Sequence, residues 1–198
     1  MTDKDLSEIL EGKRAAVVHL SHHGVMDPLR PIFPEDMRRA MAMREEINLS
    51  CVVIWPGHRM SLPGSVGVIF KPKCANVNSV SNSDAGSMTL ADGTDGSLGS
   101  PLTQETLTAT FDVQPGHYNE WRVRGAEVLG IFVDDPRSIS VKKDLVFYVG
   151  GEKVITVAAD PIGIAEVFSA FPKCSIFVSD HLTTPFPAMF ELEMLVSM

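Results

Sequence analysis

The apolar residues of this chain gather in short β-branched runs: AAVVHL, CVVIW, SVGVIFK, EVLGIFV, LVFYV, KVITVAA and SIFVS. Glycine, proline or charge closes most of them within a few residues. Runs of that length and composition suit strands better than helices, which need a longer stripe repeating every three to four residues. Few of the runs alternate with helical patterns, so a parallel βαβ architecture is disfavoured. Neither GxGxxG nor GxxxxGK[ST] is present, which removes the usual phosphate-cradling signatures of nucleotide folds. The expected class is α+β, rich in strands, with a few peripheral helices.

Helices are expected at residues 3–12, at 34–48 and from Pro161 to Phe171. The first carries Leu6, Ile9 and Leu10 on one face and stops at Gly12. The second opens at Pro34, with Glu35 and Asp36 near the positive end of its dipole. In the third, Asp160 is expected as the cap and Pro161 as the first helical residue. Strands are expected at 15–20, 51–55, 65–71, 76–81, 106–113, 120–124, 127–133, 138–142, 145–149, 153–159 and 175–179. Gly150-Gly151 reads as a tight primed turn joining two of them into a hairpin. The tail AMFELEMLVSM fits strand and helix spacing equally.

A length of 198 residues suits a single domain over 1–198. Within it, 72–103 is a polar stretch rich in Asn, Ser, Asp and Gly, expected to be a mobile loop insertion. The net charge of −8 disfavours a nucleic-acid partner without excluding one. Three cysteines without a CxxC spacing argue against a disulfide framework and for a reducing compartment. The polar start MTDKDLSEILEGK is no signal peptide, and no apolar run is long enough to span a membrane. A cytoplasmic protein with no membrane partner is therefore expected.

Two stretches carry residues suited to chemistry. In VVHLSHHG, His19 and Ser21 alternate with Val18 and Leu20, so they face away from whichever core those apolar residues enter. His19, His22, His23 and His58 are metal-ligand types, but their spacing matches no HExxH or HxHxDH element, and no metal site is assigned. In HYNEWRVRGAEVLGIFV, Glu120 opens a strand beside Tyr118 and Asn119. Asp134-Asp135 precedes Pro136 and reads as a turn. There is no GxSxG, and no cysteine lies in an electropositive helix start.

Together these two stretches resemble the ADP-ribosyltransferase superfamily. An early strand bearing His and a small hydroxyl residue, here VVHLSH, is followed about a hundred residues later by a Glu-led strand and another apolar strand, here EWRV and EVLGIFV. The arginine-modifying Gln/Glu-x-Glu pattern is absent, since position 118 is Tyr. The middle motif has only Ser79, Ser81, Ser83 or Tyr118 as candidates.

The resemblance implies a split β-sandwich and a toxin- or effector-like transferase using NAD as co-substrate. Its acceptor, a macromolecule or a small molecule, is not identified. Glu120 would stabilise the oxocarbenium-like transition state of nicotinamide–ribose cleavage. His19, Ser21 and His22 would hold NAD, Tyr118 would stack on nicotinamide, and Arg38, Arg39 or Arg44 would meet the pyrophosphate. On this reading Glu120→Gln abolishes NAD cleavage and leaves the melting temperature near wild type. The alternatives are a non-catalytic β-rich binding or inhibitor module and a metal-dependent hydrolase. The first pair separates on whether Glu120 and His19 meet in one cleft.

Overall fold

The structure, a computed structural model, describes residues 1–23, 32–85 and 99–179. In chain order the elements are α1 (Asp3–Gly12), β1 (Ala16–Leu20), β2 (His22–His23), α2 (Glu35–Ala42), β3 (Leu49–Ile54), β4 (Val66–Lys71), β5 (Val77–Ser81), α3 (Gln104–Ala109), β6 (Glu120–Val123), β7 (Glu127–Asp134), β8 (Ser140–Val149), β9 (Glu152–Pro161), α4 (Ile164–Ala170) and β10 (Ile176–Ser179). The chain is a strand-rich mixed α/β protein. Four helices accompany a seven-stranded sheet of order β10-β7-β4-β1-β3-β6-β5 and a three-stranded sheet of order β2-β8-β9. No helix among the described residues is long and apolar enough to cross a membrane.

β3 is shared between two neighbours. Its C-terminal half pairs with β1 (Val52 with Val18, Val53 with Val17, Ile54 with Ala16), and its N-terminal half pairs with β6 (Leu49 with Val123, Ser50 with Arg122, Cys51 with Trp121). Alternation along the strands builds two cores. Val17, Cys51, Val53, Val68, Trp121 and Ile131 face one side, where Leu6, Met37, Leu107 and Val167 of the helices cover them. Val18, Val52, Ile54, Ile69 and Phe132 face the other side, closed by Met60, Leu62 and Val113 from irregular segments. Gly67 is required for the tight approach of β4 to β1, since a Cβ there would stand 2.5 Å from the His19 carbonyl oxygen.

Asn119 extends β6 by one pairing. Its side-chain Oδ1 accepts from Val53 N at 2.6 Å and its Nδ2 donates to Val53 O at 2.9 Å. The carboxamide thus replaces a backbone unit where the chain turns into β6, and the site is fully buried. Trp121 is equally buried, with Nε1 donating to Thr110 Oγ1 at 3.0 Å.

Four expectations are corrected. The expected strand at 106–113 contains α3 instead, because Thr103 and Thr106 form a reciprocal cap (Thr106 N to Thr103 Oγ1, 3.2 Å; Thr103 N to Thr106 Oγ1, 2.9 Å) that outweighs the β-branched alternation. The expected helix over 34–48 stops at Ala42. The chain beyond it is held by Gly125 N to Arg44 O at 2.7 Å and Arg124 Nε to Glu45 O at 2.9 Å, contacts that redirect it into β3. The strands expected at 138–142 and 145–149 form a single strand, β8, since Lys142-Lys143-Asp144 does not interrupt a ladder on a ribbon. Pro161 ends β9 rather than starting a helix: among the described residues β9 lies at a sheet edge, where a missing N–H is tolerated, and α4 begins at Ile164.

The Gly150-Gly151 turn is present, with both residues at positive φ (60° and 87°). Residues 86–98 of the polar loop, the tail AMFELEMLVSM and residues 24–31 lie outside the described residues. Because Asn119 satisfies both polar groups of Val53, Asn119→Ala is expected to cost about 2–4 kcal/mol of stability. Chemical denaturation checks this, and a change under about 0.5 kcal/mol would mean that the ladder closes without it.

Candidate functional site

Glu120 and Arg122 sit two residues apart on β6 and so project to the same face of the sheet. On the neighbouring strands, Ser50 stands opposite Arg122 from one side, while Ser79 opposes Arg122 and Ser81 opposes Glu120 from the other. The side chains of Glu120 and Arg122 are only 4% and 8% exposed. Glu120 Oε1 accepts from Arg122 Nη2 at 2.7 Å and from Ser50 Oγ at 2.7 Å. Its other oxygen, Oε2, accepts from Ala85 N at 2.9 Å. Next to this contact, Tyr118 Oη donates to Asp84 Oδ2 at 2.8 Å. Burial, and then that hydrogen bond to Asp84, push the Tyr118 hydroxyl well above the ordinary phenol range. The polar loop is therefore tied down at Asp84 and Ala85 on top of a buried ion pair.

His19 reaches the same strand from β1. Its Nδ1 lies 2.7 Å from Ser50 O. A carbonyl only accepts, so Nδ1 carries the proton in this contact. Ser50 thus touches both expected residues, Glu120 through its hydroxyl and His19 through its carbonyl. The two approach from opposite faces, however: His19 alternates with Val18 on β1, and Glu120 with Trp121 on β6. Ser21, fully buried, donates from Oγ to Asp36 Oδ2 at 2.5 Å, and Met37 N donates to Asp36 Oδ1 at 2.7 Å. Burial raises the Asp36 carboxyl above its ordinary 3.8, against those hydrogen bonds and the nearby His19.

The other expected residues are dispersed. The backbone of His22 and His23 pairs with Lys142 and Lys143 of β8. Arg38 bonds Glu35 and donates to Ala170 O at 2.9 Å, with its guanidinium 5.8 Å from the Phe171 ring centre, which ties α2 to α4. Arg39 Nε lies 3.4 Å from Met43 Sδ on the helix surface. Arg44 donates to Met41 O at 2.8 Å. His58 is buried with Nδ1 accepting from Met60 N at 3.2 Å and its ring edge-on to Trp55. Among the described residues no group of three or more His, Cys, Asp or Glu is placed to hold a metal ion. Burial pushes the Cys51 thiol far up, out of nucleophilic range. Asp135 sits in the expected turn at φ 41°, and hydrogen bonds from Arg137 and Ser138 hold its carboxyl down at about 2.

Of all the expected site residues only Arg44 lines the prominent cavity, about 940 Å³, formed beside α1 by the ends of β1, β4 and β7. Leu10, Val17, Phe70 and Val128 give it apolar walls, and Arg44, Lys71 and Lys73 stand at it with Glu11, Glu45 and Glu127. That volume falls in the range of small-molecule sites. Sequence reasoning missed Arg122 and Ser50 as partners of Glu120. The Glu-x-Arg spacing was the available signal for Arg122, since a period of two puts both on one face. Ser50 carried no signal, because its partnership crosses 70 positions. Comparison with known protein families, with curated proteins and with solved structures finds no match for this chain.

Removing one partner of a buried ion pair strands the other charge in a dry site. Glu120→Gln is therefore expected to cost about 3–5 kcal/mol, and Glu120→Leu/Arg122→Leu clearly less. A denaturation series on the three chains decides it, and an unchanged midpoint for Glu120→Gln would leave Glu120 free for chemistry. Asp36 gives a pH dependence. With its folded pKa raised, the native state binds more protons than the unfolded state just above about pH 4, so its contribution to stability falls as pH rises through that window. Asp36→Asn should remove the fall, and parallel pH profiles of the melting temperature for both chains would refute this.

Proposed function

We propose that this chain is a β-rich binding module that takes a small amphipathic ligand in the cavity beside α1, with Glu120 serving as part of its frame. The observation that carries the reading is the separation of the two features. The roomy, apolar-walled, charge-rimmed cavity is at one place, and Glu120 is at another, 4% exposed with three donors on its two oxygens. A carboxylate satisfied in this way is costly to redeploy, whereas the cavity needs no rearrangement to admit a ligand. The test is a titration with the fluorescent probe anilinonaphthalene sulfonate. Saturable binding that is lost in Val128→Trp, which fills the cavity from a half-buried position, supports the reading. Absence of saturable binding, or binding indifferent to Val128→Trp, overturns it.

A second reading, NAD-dependent ADP-ribosyl transfer, draws on one contact set: Ser50 touches Glu120 through its hydroxyl and His19 through its carbonyl, at 2.7 Å each, although the two side chains lie on opposite faces of the sheet. The sharing of β3 between β1 and β6 is also compatible with the split β-sandwich that this reading implies. In that reaction the nicotinamide–ribose bond breaks, nicotinamide leaves with the bonding pair, and the carboxylate of Glu120 faces the ribosyl cation as it develops. Ala85 would first have to release Glu120. Nicotinamide release from NAD, faster in Tyr118→Phe than in wild type because the Asp84 tether is lost, would support the transferase. No release from either chain would leave the binding module alone.

A further inference from the structure

The cavity beside α1 has a body and a rim of different chemistry. Leu10, Val17, Phe70 and Val128 form the body, which offers contact area without hydrogen bonds. Ile69 and Leu129, from the other face of the sheet, line it as well, so the cavity wraps the strand ends. Phe70 and Lys71, successive residues of β4, therefore both reach it. The two neutral polar side chains on its wall, Ser7 and Asn76, are already committed within the fold. Ser7 donates from Oγ to Glu11 Oε1 at 2.8 Å. Asn76 Oδ1 accepts from Lys73 N at 2.8 Å, and its Nδ2 donates to Arg124 O at 3.0 Å. A sugar or nucleobase would leave its own polar edges unpaired against such walls, which is costly for each buried group. An aliphatic chain has no such groups to satisfy and gains by leaving water.

The rim decides the sign of the ligand. Three of its four carboxylates have partners. Asp3 Oδ1 accepts from Cys74 N at 2.7 Å, Glu11 is bonded by Ser7, and Glu45 Oε1 lies 3.7 Å from Arg44 Nε. Arg44 is further engaged by Met41 O. Lys71 and Lys73 are exposed, and among the described residues neither makes an ion pair. The fourth carboxylate, Glu127, stands opposite Lys71 in the β4–β7 register and is likewise exposed without an ion pair among those residues. Two uncommitted cations thus face one uncommitted carboxylate at an apolar cavity, on a chain whose net charge is −8.

We propose that the ligand of this cavity is a free single-chain alkyl carboxylate, a fatty acid in chemical class. Its carboxylate pairs with Lys71 and Lys73, and its chain lies along Phe70, Val128 and Leu10. A monoanion matches the local excess of one positive charge, and an aliphatic body matches walls with no spare hydrogen-bonding group. The inference rests on the binding-module reading and names the ligand that reading leaves open.

Calorimetric titration of the full chain with dodecanoate and with dodecyltrimethylammonium, each below its micelle concentration, tests this. Dodecanoate is expected to saturate, with the ammonium about tenfold weaker because both lysines then repel the head group. Lys71→Met/Lys73→Met keeps the apolar stems and should weaken dodecanoate about fivefold, whereas Glu127→Gln removes the opposing charge and should tighten it about twofold. Val128→Trp should abolish dodecanoate binding. The two lysines and Glu127 are exposed, so melting temperatures of their variants should stay at the wild-type value. Dodecanoate binding no tighter than that of the ammonium, or unmoved by the lysine pair, overturns this inference. If anilinonaphthalene sulfonate still saturates and is still lost in Val128→Trp, the binding module stands without it. No saturable binding of any of the three probes, or binding of all of them indifferent to Val128→Trp, overturns both.

Discussion

The ion pair between Glu120 and Arg122 is the constraint around which the rest of this protein is arranged. Two opposite charges are taken out of water on one face of β6, and the desolvation this costs is repaid only if the surrounding polar groups are supplied in full. Glu120 receives them from two places outside β6: the Ser50 hydroxyl on β3 and the Ala85 amide of the polar loop above. Removing any of these strands leaves a charge under-served. The pair therefore fixes which strands must flank β6, in what register, and where the loop must lie.

That requirement divides the sheet into two territories. The face carrying Trp121, Val53 and Val68 is covered by helices and is apolar throughout. The opposite face is apolar around Val18, Ile54 and Phe132 but polar where it meets β5 and β6. Asn119 marks the junction, where a side-chain amide does the work of a peptide unit against Val53. A strand that begins with such a substitution can turn sharply before Glu120 without leaving backbone groups unpaired.

The same arrangement separates stiffness from capacity to bind. Charge and hydrogen bonding are concentrated at Glu120 and at the Ser21–Asp36 contact, both enclosed, while open volume lies at the strand ends beside α1. On the proposed reading, a ligand entering there would meet the strand ends and α1 that already line the cavity. Any chemistry at Glu120 would instead require Asp84 and Ala85 of the loop to lift from Tyr118 and Glu120 first, which makes access to that carboxylate a conformational question rather than one of residue identity.

The sequence by itself determined the strand-rich α+β class, the first helix, the central strands and the Gly150-Gly151 turn. These follow from local periodicity and turn chemistry, which act within a few residues. The Glu-x-Arg spacing also puts Glu120 and Arg122 on one face, since alternation on a strand is local, although sequence reasoning did not pair them. Only the tertiary structure decided what that face meets. Ser50 and Ala85 come from far along the chain, and no pattern within β6 announces them. Short-range signals also competed wrongly at 106–113, where a Thr103–Thr106 cap overruled alternation, and at Pro161, which ends β9, an edge strand among the described residues. Whether His19 and Glu120 face one cleft could not be read locally either. It depended on how β3 divides its two halves between β1 and β6, and such strand order arises from non-local packing.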